Sequence, residues 1–243
     1  MENAITAGLA RQIVLARALE ATANNIANQS TAGFKSDHVA FREYLAEIGG
    51  EAAGDNLISL VYDPDSYTDF SAGGLEPTYS PFDFAIDGDG FFGVETGEGL
   101  RYTRDGRFTL NADGELVTRG GARVLDAGGA PVLVDPEAGP LLLTPDGALQ
   151  QSNSEIASLG VFRFDDRAAL EKRGDNLFAA ASEAIPVETP RIRQGFVETS
   201  NVQPIAAVTD MIEIMRAYEQ AAQVIEASDE LARETVQKLT ETA

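Results

Sequence analysis

Asp87-Gly88-Asp89-Gly90 has the residue types and spacing with which a calcium loop begins. Such a loop needs further oxygen ligands at fixed offsets and closes with a bidentate Glu. Gly90 and Phe91 stand where the next ligands should fall, so the segment reads as a tight turn. Carboxylate pairs for glycoside hydrolysis are available in bulk, but with twenty-five acidic residues between 51 and 190 no single pair carries information. His38 is the only histidine; no G-x-S-x-G surrounds a serine and no G-x-x-x-x-G-K-[ST] occurs. It therefore reads as a surface or packed residue. The chain has no Cys, which excludes thiol catalysis, disulfides and thiolate metal sites. The inventory points to no catalytic residue, no metal site and no cofactor.

The surrounding chain is 243 residues long, enough for one large domain or two small ones. At 44% hydrophobic and 23% charged it has the balance of a folded protein. The net charge is −21, from 39 acidic and 18 basic side chains, which disfavours nucleic acid and anionic membrane surfaces as partners. No apolar run approaches the roughly 18 residues of a membrane span, so no direct membrane insertion is expected. The charge is unevenly placed: residues 1–50 are net −1, 51–190 net −16 and 191–243 net −4. The acidity belongs to the middle and the ends are nearly balanced, a first sign of two kinds of structure.

Residues 2–28 contain no Pro, one Gly and many strong helix formers, and they predict a helix. Ile5, Leu9, Gln12, Ala16, Leu19, Ala23 and Ile26 follow alternating steps of four and three, a heptad stripe suited to a partner helix. Gly33 is the expected positive-φ position beyond the helix end. Asn24, Asn25 and Asn28 crowd the last turn, where they could cap locally or meet a partner. At the other end, Ser200 or Asn201 could cap a helix whose first turn holds Pro204. No Gly or Pro follows as far as Ala243, and Val208, Met211, Met215, Tyr218, Ala222, Ile225, Asp229, Ala232, Val236 and Leu239 continue the alternating spacing. Neither stripe can bury itself alone, and pairing of the two ends is the economical solution.

Between the helices, Gly recurs about every eight residues from Gly90 to Gly129, with Asp-Gly turn signals at 89, 105, 113 and 146. The short β-type runs between them predict an antiparallel β domain with short strands. The expected fold class is α+β: paired long N- and C-terminal helices, coiled-coil-like, flanking a central antiparallel β domain. The expected boundaries are an N-terminal helical segment 1–35, a linker 36–80, the β domain 81–195 and a C-terminal helical segment 196–243.

Several of these segments resemble one family. Ala23-Asn24-Asn25-Ile26-Ala27-Asn28-Gln29-Ser30-Thr31-Ala32-Gly33-Phe34-Lys35 resembles the N-terminal signature of bacterial flagellar rod and hook proteins. Asp83 to Phe92, Tyr102 to Phe108 and Asp113 to Val117 look like their shared β domain. Gly195-Phe196-Val197-Glu198-Thr199-Ser200-Asn201-Val202, with Met211-Ile212 and Arg216-Ala217-Tyr218-Glu219, resembles the C-terminal signature. The length favours a rod protein over the longer hook protein, and Thr209-Asp210-Met211-Ile212 looks like the proximal rod subgroup. A distal rod or hook-type axial protein is the alternative within the family.

The resemblance implies a structural, non-enzymatic subunit of the flagellar drive shaft, required for motility. It implies export by the flagellar export apparatus without a cleaved signal peptide, in agreement with the lack of a basic run in Met1 to Ala4. It also implies polymerisation in the periplasmic rod with its own copies and with proximal and distal rod proteins. The expected interface residues are Ile5, Leu9, Leu19, Ile26, Val208, Met211, Met215, Tyr218, Ile225, Val236 and Leu239, with Asn24, Asn25, Asn28 and Asn201 as polar registry contacts. Two readings from other classes are a secreted acidic β-domain hydrolase, for which turnover of a wall polysaccharide would speak, and a calcium-dependent adhesin, for which heat of calcium binding would speak.

Overall fold

The computed structural model of the chain describes residues 2–40, 43–47, 57–61 and 65–241. They divide into two compact units. The first comprises Met1–Ala27, Asp37–Asp69 and Gln203–Ala243; the second comprises Asn28–Ser36 and Phe70–Val202.

The first unit is built on helices α1 (Glu2–Ala27) and α2 (Pro204–Glu241). Pro204 opens α2, where its missing N–H removes nothing from the helix ladder. The oxygens expected to cap α2 serve elsewhere: Ser200 Oγ accepts from Val202 N at 3.2 Å, and Asn201 Oδ1 accepts from Ser36 N at 2.8 Å. The helices pair antiparallel, as the residues that meet reveal. Gly8 lies against Ile225, while Ala18, Ala21 and Thr22 line a cavity with Asp210, Glu213 and Ile214. Gly8 permits a close crossing, since a Cβ there would come within 2.8 Å of Ile225 Cγ1. Beyond that crossing α2 outruns α1 by about ten residues, or about 15 Å.

The apolar stripe of α1 that is buried within the chain differs from the heptad read from the sequence. Val14, Leu15, Ala18 and Asn25 are buried, one residue N-terminal to the expected Ala16, Leu19 and Ile26, which are half-buried. One residue is a rotation of about 100° about the helix axis. The physical reason is that α1 carries two apolar stripes and one chain covers one of them, leaving Leu9 53% exposed and Ile13 exposed beside it. On α2, Ala207 and Ala221 are buried, and Met211, Ile214 and Ile225 are half-buried. Two antiparallel hairpin pairs, Asp37–Ala40 with Asp65–Thr68 and Glu43–Glu47 with Leu57–Val61, complete this unit inside the stretch expected as a linker.

The second unit is antiparallel β throughout its named pairings. Its nine-stranded sheet is centred on Phe91–Thr96, which pairs with Gly99–Thr103, Arg123–Val124 and Val161–Arg163. Successive side chains of a strand point to opposite faces, and this strand uses both. Phe92 and Val94 enter a core with Phe84, Leu116, Val124, Val132, Leu149 and Leu159, whereas Phe91 joins Tyr102, Phe164, Leu170 and Phe178 on the other side. Shorter pairings bring Ile192–Gln194 beside Phe84–Ile86 and Phe196–Glu198 beside Leu75–Pro77. The second of these carries the segment before α2 into the unit.

Candidate functional site

The segment 28–36 is held by the β unit through a buried ion cluster. Gly33 makes the approach possible. It has φ +68°, which favours glycine, and a Cβ there would sit 2.3 Å from Asp105 N. Gly33 N donates to Glu198 O at 2.8 Å, and Asn176 Nδ2 donates to Ala32 O at 3.1 Å. These bonds deliver Lys35 to the interior. Its Nζ lies 2.6 Å from Glu198 Oε1 and donates to Ser71 O at 2.6 Å. The Lys35 and Glu198 side chains are 0% and 1% exposed.

Glu198 takes a second cation. Arg104 Nη1 donates to Glu198 Oε2 at 3.0 Å, Arg104 Nη2 donates to Gly88 O at 2.9 Å, and the guanidinium stacks 5.2 Å from the Phe91 ring centre. Gly73 N adds a third bond to the carboxylate at 2.9 Å. Burial pulls the Arg104 guanidinium below the usual arginine range, and the neighbouring Glu198 charge and hydrogen bond oppose that pull. Arginine nevertheless stays a cation in proteins. Two positive groups around one carboxylate leave the cluster short of negative charge by one, so Glu198 is the group on which it depends.

The asparagines divide between tasks. Asn25, in the last turns of α1, makes a two-bond bridge to one residue: Nδ2 donates to Asp37 O at 2.7 Å and Oδ1 accepts from Asp37 N at 2.9 Å. Asp37 Oδ1 in turn accepts from Thr68 Oγ1 at 2.7 Å, fastening the first hairpin to the helix. Asn201 uses Oδ1 on Ser36 N and Nδ2 on Ser71 Oγ at 3.1 Å. Asn28 Oδ1 accepts from Thr31 Oγ1 at 3.2 Å, and Asn24 is exposed. Replacing the buried Asn25 with Ala is expected to cost about 1–3 kcal/mol, because the half-buried Asp37 backbone N–H and C=O both lose their partner. Chemical denaturation of the full chain checks this; an unchanged midpoint would contradict it.

Of the expected apolar interface residues, Leu9, Val208, Met215 and Tyr218 are exposed. Leu19, Ile26, Met211 and Ile225 are half-buried. Ile5 lies in α1 and Val236 and Leu239 in α2, with side chains outside the described residues. α2 thus presents an outward row of Ile205, Val208, Ile212 and Met215, with Ile205 86% exposed. The Asp87 and Asp89 carboxylates meet Arg193 and Arg167 at 2.7 and 2.9 Å, and His38 stacks on Tyr67 with centroids 5.6 Å apart. Among the described residues no three His, Asp or Glu side chains gather around a metal-sized space.

Sequence reasoning missed Lys35, Arg104 and Glu198. The available signal was position: each falls inside a segment quoted above for its family resemblance, Gly33-Phe34-Lys35, Tyr102-Thr103-Arg104 and Phe196-Val197-Glu198.

Comparison with known proteins follows the same order along the chain. Residues 5–35 match the family model for flagella basal body rod protein, residues 85–154 that for the flagellar hook protein FlgE/F/G D1 domain, and residues 193–238 that for the flagellar basal body rod FlgEFG protein C-terminal. The chain is 41% identical over 241 residues to the flagellar basal-body rod protein FlgF of Caulobacter vibrioides, covering 98% of each. It is 36% identical over 243 residues to FlgF of Mesorhizobium japonicum, again covering 98% of each. It is 32% identical over 242 residues to the flagellar basal-body rod protein FlgG of Bacillus subtilis, covering 90% of this chain and 92% of that protein.

Proposed function

This chain belongs to the flagellar basal-body rod protein family, and we propose that it polymerises by receiving its neighbours on the outward faces of α1 and α2. It is a FlgF-like structural subunit of a non-enzymatic family that assembles with other rod proteins. Among the described residues no helix is long and apolar enough to cross a membrane. The neighbours are further copies of the chain together with proximal and distal rod proteins. The subunit reaches the periplasmic rod through the flagellar export apparatus without losing a leader.

The observation that carries this reading is the apolar surface left over after the helices have paired. Leu9 and Ile13 on α1, and Ile205, Val208, Ile212 and Met215 on α2, are large and exposed. Helices stacked through such stripes make heterologous contacts, which propagate into a helical filament when the rotation does not close. Many distributed side-chain contacts between long helices give the stiffness that a torque shaft needs.

Ile212→Asp tests the reading. The side chain is exposed, so the free subunit should keep its stability within about 0.5 kcal/mol. A charge buried against a neighbour without a partner should abolish incorporation into basal bodies and with it motility. Normal incorporation would overturn the proposal, and the N-terminal sequence of the incorporated wild-type subunit reads the export claim from the same preparation. Asn24, exposed on the same helix as the buried Asn25, is the asparagine best placed to fix register between subunits.

A further inference from the structure

Tyr79 is 88% exposed and sits at φ +60°, in the left-handed region. Among the described residues the other non-glycine positions with positive φ are Ser152, Asn153, Asp175 and Asn176, all small and polar and tolerated there. A bulky aromatic in that region is strained. The conformation is imposed by hydrogen bonding: Thr78 N and Tyr79 N both donate to Gly195 O, at 2.8 and 3.1 Å, where the Leu75–Pro77 strand ends. Gly or Asn would satisfy the same bonds without the strain. The ring is held in solvent at a conformational cost that burial within the chain does not offset.

We propose that Tyr79 is a docking knob for a second copy of this chain, whose α1 receives it on the face formed by Leu9, Ile13 and Arg17. This rests on the rod-assembly reading above and names the occupant of one of its faces. Charge selects the partner. No Lys or Arg occurs between Phe70 and Arg101 of the β unit, a span with six acidic residues; Glu76 is exposed three positions before Tyr79, and Arg193, on the strand that leads to Gly195, is paired with Asp87 at 2.7 Å. The receiving surface must therefore be apolar and not acidic. Helix α1 has two acidic and two basic residues, whereas α2 has eight acidic and three basic and would repel the knob. Leu9, Ile13 and Arg17 are spaced i, i+4, i+8 along α1 and all three are exposed. An arginine over the ring face adds attraction to the apolar contact.

The experiment uses the full chain, whose lack of Cys makes introduced thiols unambiguous. Tyr79→Cys combined with Ile13→Cys should give covalent multimers of the chain in oxidised basal bodies, and each single variant should give none. Cross-links to a different rod protein, or no cross-link, would overturn the proposal. Tyr79→Gly should melt no lower than wild type, yet incorporate at least about tenfold less well, the scale for losing one aromatic hot spot. A lower melting temperature would assign Tyr79 to the fold and count against docking. If Tyr79→Gly incorporates normally while Ile212→Asp does not, this inference alone falls; if both incorporate normally, the rod-assembly reading falls with it.

Discussion

Glu198→Ala should destabilise the β unit by about 3–5 kcal/mol, the scale for removing one partner from a buried ion pair. The substitution leaves Lys35 and Arg104 facing each other in a site closed to solvent, with Gly73 N also unpaired. Asp165→Ala is the matched control. Its pair with Arg163 spans 2.8 Å, comparable to the buried one, but the side chains are 52% and 76% exposed, so it should change stability by less than about 1 kcal/mol. The triple change Lys35→Met, Arg104→Met, Glu198→Leu should regain much of what Glu198→Ala loses, because it removes the stranded charges. Urea denaturation followed by circular dichroism reads all three. Equal losses for Glu198→Ala and Asp165→Ala would show that burial confers no special role on the cluster. The consequence extends beyond the cluster, since Lys35 and Glu198 belong to the two segments through which the chain leaves α1 and enters α2.

The second large effect is expected at the helix crossing. Gly8→Leu should cost about 1–3 kcal/mol by overpacking, because even the first added carbon meets Ile225 Cγ1 at 2.8 Å. Gly8→Ala should be nearly neutral: Ala favours the helix by about 1 kcal/mol over Gly, and the Ile225 side chain can turn aside. The graded pair separates steric displacement from mere loss of glycine. Incorporation into basal bodies should survive Ala and fail with Leu, since the outward stripes keep their spacing only while α1 and α2 stay paired. Measuring helicity and incorporation together decides it. Normal incorporation of Gly8→Leu would show that the pair is not the unit of assembly.

The elements were readable because their local signals agree. The heptad spacing and Pro204 marked the helices, with α1 observed at Glu2–Ala27 against 2–28 expected. Glycine and Asp-Gly punctuation marked strands such as Phe91–Thr96, Gly99–Thr103 and Leu116–Thr118. The inward face of α1 was not readable. Val14, Leu15 and Ala18 make as good a stripe as Leu9, Ala16 and Leu19, and periodicity cannot say which one the same chain covers. The ion cluster was hidden for a different reason. A lysine is almost never fully buried unless paired, and its partners, Ser71 and Glu198, lie 36 and 163 positions away in sequence. Asn25 and Asn201 were noticed for their residue type, but their work within the chain depends on which backbone groups the fold brings to them.

The net charge of −21 acquires a place in this account. The β unit carries a net −9, residues 37–69 carry −7 and α2 carries −5, while α1 is balanced, as a surface that must receive neighbours requires.

The central claim is that neighbouring subunits cover the outward helix faces, and thiol labelling tests it most directly. Ile212→Cys, in a chain with no other Cys, should react rapidly with a maleimide in the free subunit, where residue 212 is exposed. Ala207→Cys, at a position buried within the chain, should react slowly in both states. The account predicts that Ile212→Cys becomes as slow as Ala207→Cys once it is assembled into basal bodies. Labelling at the free-subunit rate in assembled basal bodies would contradict it.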